Sequence, residues 1–111
     1  MPKPDKSNVQ QKIKRYWVSW CNYGKIFGPT NNPPNENILG WWKCACIKDG
    51  AILCALILAT NESEAKSIIT TEWPDTKFAM VSDWKNVSEV SDHYVPADRF
   101  ILSDWMQKRI L

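Results

Sequence analysis

The stretch WWKCACIKDGAILCALILA, residues 41–59, sets a turn between two apolar runs and decides what kind of fold this chain forms. Its KDG tripeptide at 48–50 fits a three-residue hairpin loop in which Gly50 takes the left-handed conformation that glycine favours. The flanking runs have the length and composition of buried strands. The stretch therefore predicts a β-hairpin with strands over residues 41–47 and 51–59.

Three of the four cysteines of the chain lie in this hairpin. Alternation along a strand puts Trp42, Cys44 and Cys46 on one apolar face, with Cys44 opposite Cys54. Alternate positions are about 6.6 Å apart on an extended strand, too far for two sulfurs on one tetrahedral zinc ion, so we predict no metal site. A Cys44–Cys54 disulfide fits the facing positions but needs an oxidising compartment. The preferred interpretation is therefore that these cysteines are unpaired core side chains.

The length of the chain and the character of its N-terminus predict a single domain in a reducing cytosol. Its N-terminus has prolines and charges where a signal peptide has an apolar run. The longest apolar segment, residues 51–59, is far shorter than the roughly 18 residues of a membrane helix, so we expect no membrane contact. A chain of 111 residues makes one core. We assign that core to residues 13–111, behind a flexible basic leader at residues 1–12.

Two further elements have clear local signals. Aromatic and β-branched residues predict a strand over residues 13–23. Asn61 and Glu64 have the spacing of a capping box, and the apolar spacing behind them predicts a helix near residues 62–72. Pro74 ends that helix, because proline disfavours helical geometry at the residue before it.

The C-terminal part completes the predicted fold. Residues 77–84 read as a fourth strand beside strand 51–59, joined to it by a right-handed crossover. Residues 85–96 are polar and predict a loop, and Ser103 begins a short final helix. The fold class is α+β, a small single-domain antiparallel or mixed sheet of about four strands. One main helix packs on one face, and a short C-terminal helix follows.

A long loop rich in asparagine and proline is predicted at residues 24–40. Pro29, Pro33 and Pro34 remove backbone donors and prevent a regular strand ladder. A connection of this length is uncommon in so small a domain and is often functional. Because apolar residues stand only at its two ends, we expect a loop that is held at the ends and mobile in the middle.

The sequence presents no group of residues that predicts catalysis. Its single histidine, His93, lies in a polar segment, and all four cysteines are assigned to strands, so a cysteine–histidine nucleophile pair is not expected. The glycines form no phosphate-binding pattern. We therefore predict a protein that is not an enzyme, with no catalytic residue, cofactor or metal.

Seven tryptophans are more than one small core needs. Trp20 and Trp73 are expected in the core, whereas adjacent Trp41 and Trp42 point to opposite sides of a strand. One of that pair is expected at a surface, under the long loop or against a partner. Tryptophan and arginine are enriched where proteins bind one another. The candidate partner-binding residues are Trp41, Trp42, Trp84, Arg99 and Trp105.

The ADRF tetrapeptide at residues 97–100 has two interpretations. In the functional one, Asp98 and Arg99 are exposed for a partner. In the structural one, they form a local ion pair beside a buried Phe100 that holds the C-terminal tail in place. The structural interpretation is preferred.

Charge distribution supports an alternative function. Residues 1–55 carry eight Lys and Arg against three Asp and Glu, whereas residues 56–111 carry six against nine. A basic aromatic segment can contact phosphates and stack on bases, which makes a nucleic-acid-binding module the alternative. Against it, the net charge of the chain is only +2, and the acidic half would repel a phosphate backbone. The residues for this alternative are Lys12, Lys14, Arg15 and Trp17.

Six motifs occur in one order along the chain: RYWVSW (15–20), ILCALILA (52–59), ESEAKSII (62–69), WPD (73–75), ADRF (97–100) and SDWM (103–106). Together they resemble a group of small proteins that bacteriophages and prophages encode. The resemblance implies no activity and no site residue. It implies an accessory protein made in the cytoplasm of a bacterial host cell. We therefore expect a small non-enzymatic phage protein that binds and modulates a host protein, such as a defence component; a homo-oligomer is compatible with this.

Overall fold

The computed structural model describes residues 12–23, 28–74 and 83–111 of the chain. In chain order its elements are β1 (Lys14–Tyr23), β2 (Ile38–Ile47), β3 (Gly50–Ala59), α1 (Glu62–Glu72), β4 (Trp84–Val90) and α2 (Asp104–Ile110). The four strands form an antiparallel sheet in the order β2-β3-β1-β4. This is the predicted α+β domain, with a main helix and a short C-terminal helix. Neither helix is long and apolar enough to cross a membrane.

The central strand β3 is apolar on both of its faces. Leu53 and Ala55 belong to one buried cluster, and Cys54 and Leu56 belong to the other, with all four fully buried. A strand that is apolar at consecutive positions needs cover on both sides. The sheet therefore has two cores, one on each face.

Helix α1 covers the first face, against which it buries Ala65 and Ile69. Its first turn is closed by Asn61, whose Oδ1 accepts from the backbone N–H of Glu64 at 2.8 Å. The Glu64 carboxylate accepts from the backbone N–H of Thr60 at 2.7 Å, one residue before the partner that the capping box predicts. The start of the helix is thus capped by Asn61 as predicted. The bond to the Glu64 carboxylate differs from the prediction, because its donor is the backbone N–H of Thr60 and not that of Asn61.

The second face is covered by α2 and by the irregular residues 91–103 before it. Met106 and Ile110 of α2 are buried there. Arg15 of β1 reaches across and donates to the backbone carbonyls of Tyr94 at 2.6 Å and Ile110 at 3.1 Å. Arg15 thus satisfies one carbonyl of the irregular segment and one of α2, which ties both to the sheet.

The hairpin turn is shorter than predicted. Ile47 pairs with Gly50, so the loop consists of Lys48 and Asp49. The positive φ of 66° belongs to Asp49 and not to Gly50. Aspartate tolerates this conformation better than most residues, and a two-residue loop matches the twist of its strands. Gly50 lies within β3, where a Cβ atom would collide with the backbone of Asn22 in β1.

The fourth strand differs from the prediction in position and in neighbour. Residues 85–90, predicted as loop, belong to β4, and residues 77–82 of the predicted strand lie outside the described ranges. β4 pairs antiparallel with β1, with Val18 opposite Val87. It cannot pair with β3, because β1 and β2 already occupy both edges of that strand. β3 and β4 run parallel with β1 between them.

The loop predicted at residues 24–40 ends sooner, because β2 begins at Ile38. The start of that loop lies outside the described residues. Its middle is tied to α2, since the Arg109 guanidinium donates to the carbonyls of Pro34 and Asn35, both at 2.9 Å. The sequence predicts a loop that is held only at its two ends. The structure differs, because the middle of the loop is also held.

Candidate functional site

A β-bulge in β2 shapes the surface beside the hairpin. Lys43 pairs with Leu53 and Ala45 pairs with Ile52, which leaves Cys44 as an extra residue between them. A bulge of this kind bends the strand and turns a side chain in a new direction. Here it presents Cys44 at the surface while keeping it near β3.

The bulge also decides the state of the cysteines. Cys44 forms a disulfide with Cys54, which contradicts the prediction that the hairpin cysteines are unpaired. Cys46 is exposed and unpaired, and does not share the apolar face as predicted, because the extra residue inverts the alternation after it. Cys21 is unpaired and buried. Of the three hairpin cysteines predicted as core side chains, only Cys54 is buried.

A pocket of about 420 Å³ opens between the bulge and the segment before α2. We call it the Trp42 pocket. It is lined by Trp42, Lys43, Cys44, Arg99, Phe100 and Ile101. Its lining thus combines two aromatic residues, a disulfide-bonded cysteine and two basic residues.

Trp42 joins the two sides of this pocket. Its indole N–H donates to the Ile101 carbonyl at 2.8 Å. Its ring lies 5.7 Å from that of Trp17 and 5.2 Å from that of Phe100, which are distances at which aromatic rings attract one another. Only 9% of Trp42 is exposed, so this residue belongs both to the second core and to the wall of the pocket.

Ile101 stands at the rim with its side chain in solvent. It is 82% exposed, against 44% for Val95, another exposed apolar residue of the same irregular segment. Because its carbonyl is bound by the Trp42 indole, the backbone at Ile101 is held in place beside the pocket. The sequence interpretation missed this residue, because a single isoleucine between Phe100 and Leu102 reads as part of a buried apolar run.

The Trp42 pocket is cationic. The Arg99 guanidinium lies over the Phe100 ring, 5.0 Å from its centroid, and Lys43 is the second basic residue. Among the described residues, none that lines the pocket is acidic. Within the described ranges no carboxylate forms an ion pair with Arg99, so the predicted Asp98–Arg99 pair is absent there. Phe100 is half-buried among the aromatic rings of the second core.

Two other tryptophan candidates, Trp41 and Trp84, lie on the opposite face of the sheet. Trp20 and Trp73 are buried there as predicted. Trp41 packs against Trp73 at 5.8 Å and lies beside Gly28, so it is the member of its pair that sits under the long loop. Trp84 lies 6.5 Å from Trp20 at the border of this core. Trp41 and Trp84 are therefore separated from the Trp42 pocket by the sheet itself.

Trp105 supports the loop that precedes β2. The Arg109 guanidinium lies 4.9 Å from its ring centroid and donates to the Ile38 carbonyl at 2.8 Å. Trp105 is half-buried on the second face and does not line the pocket. Of the five predicted partner-binding residues, the structure brings together Trp42 and Arg99.

The residues proposed for nucleic acid take part in the fold. Arg15 is bound to two carbonyls of the second face. Trp17 packs edge-on against Phe100, with ring centroids 5.4 Å apart. Lys14 pairs with Glu89 at 3.5 Å, and Lys12 is exposed. Arg15 and Trp17 therefore have structural roles that a phosphate or a base would have to displace.

Metal ligands do not gather in the part of the chain that the structure describes. No group of three or more His, Cys, Asp or Glu side chains there is placed to hold an ion. His93 is exposed on the segment between β4 and α2.

Comparison of the chain with protein-family models, with curated proteins and with solved structures finds no match. The interpretation of the Trp42 pocket therefore rests on the geometry and chemistry of its own residues.

Proposed function

We propose that this protein is a non-enzymatic module that binds a partner protein through the Trp42 pocket and Ile101. The observation that carries the proposal is the 82% exposure of Ile101, an apolar side chain at the rim of an aromatic and cationic pocket. Protein interfaces concentrate their binding energy in such apolar and arginine-containing clusters. Ile101 is the residue whose apolar surface a partner would remove from water.

The partner that fits this proposal is a protein of a bacterial host. Support for that setting is the resemblance of the six sequence motifs to phage and prophage proteins. A small accessory protein acts there by occupying and modulating a host component, for example one of a defence system. Under this proposal the pocket supplies recognition and no reaction takes place in it.

Nucleic acid remains the alternative partner, with less support. Two of the four residues proposed for it, Arg15 and Trp17, already bind within the fold. The Trp42 pocket carries two cations, whereas contact with a phosphate backbone draws on many basic residues along one surface. A protein surface that offers one acidic group is a better match in charge.

The test is a comparative capture experiment. Wild-type protein, Ile101→Ser and Val95→Ser are immobilised and exposed to bacterial lysate, and bound proteins are quantified by mass spectrometry. We expect one protein that wild type and Val95→Ser retain and that Ile101→Ser loses. That protein is then purified, and its dissociation constant is measured with all three variants.

Val95→Ser is the matched control, because it also removes an exposed apolar side chain from the same segment. Both variants should fold normally, since surface substitutions change stability by about 0.5 kcal/mol or less. A captured protein that Ile101→Ser retains as well as wild type does would reject the proposal. Nucleic acid that co-purifies and is released by moderate salt would support the alternative instead.

A further inference from the structure

We infer that the Trp42 pocket binds a segment of the partner in which an Asp or Glu side chain is adjacent to a bulky apolar side chain. The inference rests on the proposed function and names the chemistry of its ligand. It follows from three features of the pocket: the position of Arg99, the apolar wall and the place of Ile101 at the rim.

Arg99 is placed to receive a carboxylate. Its guanidinium lies over Phe100 at 5.0 Å, so one side of the group is supported by the ring while its N–H donors remain at the edge. It forms no ion pair or hydrogen bond with a carboxylate in the described part of the chain. A supported guanidinium binds a carboxylate through two parallel hydrogen bonds and prefers it to a neutral group.

The rest of the wall is apolar. Trp42, Phe100 and Cys44 line the same space of about 420 Å³. An anion alone would leave these surfaces in contact with water, which is unfavourable for aromatic rings. A bulky apolar side chain next to the carboxylate fills this space while Arg99 holds the charge. The two halves of the ligand thus match the two halves of the pocket.

Ile101 indicates that the ligand is part of a polypeptide. A small molecule that fills the pocket would leave the exposed Ile101 side chain in water. A chain that enters the pocket and continues over the rim covers this side chain as well. Lys43 and Cys44, which are exposed on edge strand β2, line the other side of the pocket and offer further contact. Because such a chain continues in both directions, its carboxylate comes from a side chain and not from a chain terminus.

The test uses short blocked peptides and NMR of the full chain labelled with ¹⁵N. The probe is N-acetyl-Glu-Leu N-methylamide, and its controls are the Gln-Leu and Glu-Ala analogues. The reporter is the indole N–H of Trp42, which is bound to Ile101 at the edge of the pocket. We expect saturable shifts at Trp42 and at residues 99–101, with a dissociation constant on the order of 1 mM for so small a ligand. Each analogue should bind more weakly than the probe.

Arg99→Gln should weaken the probe about tenfold or more, because it removes a charge-assisted pair. Lys108→Gln is the matched control, since it removes an exposed cation on α2 that does not line the pocket. Its affinity for the probe should equal that of wild type. The dispersion of the remaining NMR signals reports whether each variant is folded.

Three outcomes would overturn the inference. They are equal binding of the Glu-Leu and Gln-Leu peptides, absence of a saturable shift at Trp42, and tighter binding of N-acetyl-leucine, whose charge is a chain terminus. Loss of the captured protein by Ile101→Ser, together with any of these, rejects only the acidic ligand and leaves the proposed function standing. Peptide binding without any Ile101-dependent partner rejects the proposed function itself.

Discussion

Removal of the Cys44–Cys54 disulfide is the perturbation that the hairpin makes most informative. Cys44→Ala is the suitable variant, because Cys44 is exposed and its loss leaves the buried Cys54 thiol in the core. Cys46→Ala is the matched control, since Cys46 is exposed and unpaired in the same strand. The difference between the two variants therefore isolates the cross-link.

The expected loss follows from the length of the closed loop. For a sequence separation of 10, the chain-entropy relation gives a stabilisation of about 2.7 kcal/mol. Cys46→Ala should change the free energy of unfolding by about 0.5 kcal/mol or less. In urea, where small proteins lose about 1–3 kcal/mol per molar, Cys44→Ala should lower the unfolding midpoint by about 1–3 M.

The assay is urea unfolding followed by tryptophan fluorescence, with and without a reducing agent. Reductant should lower the midpoint of wild type and of Cys46→Ala and leave that of Cys44→Ala unchanged. Maleimide labelling in denaturant, read by mass, should find two free thiols, Cys21 and Cys46, before reduction and four after it. Four free thiols in the unreduced protein, or equal midpoints for both variants, would refute the cross-link and return the hairpin cysteines to the unpaired state that the sequence predicts.

Two further predictions concern the contacts that hold the elements together. Arg109→Met should lower the free energy of unfolding by about 3 kcal/mol, because one guanidinium nitrogen donates to the carbonyls of Pro34, Asn35 and Ile38. Thermal melts of this variant and of the control Lys108→Met measure the effect. Equal melting temperatures of the two variants would contradict the prediction. Asn61→Ala should cost about 1 kcal/mol through the lost cap on α1, whereas Asn61→Asp, which can accept the same bond, should cost less.

The elements with strong local signals could be predicted from the sequence. The hairpin, the strand at 13–23 and the helix at 62–72 each combine an apolar period with a turn or cap residue. The bulge could not be predicted, because neither glycine nor proline marks Cys44. A single inserted residue then reverses the faces of all that follow, which is why Cys46 was assigned to the wrong side.

β4 was missed for a different reason. It is an edge strand, with Lys85, Asn86 and Glu89 exposed. Charged and polar residues on an edge strand discourage pairing with other molecules, and they also give the strand the composition of a loop. Only its pairing with β1 reveals it, and pairing between distant segments is not a local property of the sequence.

The Trp42 pocket contains two of the residues that the sequence suggests for partner binding, Trp42 and Arg99. Trp42 and Arg99 were chosen by residue type, because both types are common at interfaces. Their meeting in one pocket depends on the path of the segment before α2, which no local pattern describes. The exposure of Ile101 has no signal in the sequence, because an isoleucine between Phe100 and Leu102 is typical of a buried apolar run.

The irregular cover of the second face explains why the site lies there. A helix satisfies its own backbone, whereas residues 91–103 depend on side chains of other elements, such as Arg15 at Tyr94 and Trp42 at Ile101. In this segment the side chain of Ile101 is left in solvent. Trp42 belongs to the second core and also lines the proposed binding pocket, so its replacement cannot separate stability from binding. The Ile101 side chain is exposed, and the Arg99 side chain makes no hydrogen bond in the described structure. Substitutions at these two positions can therefore separate binding from folding.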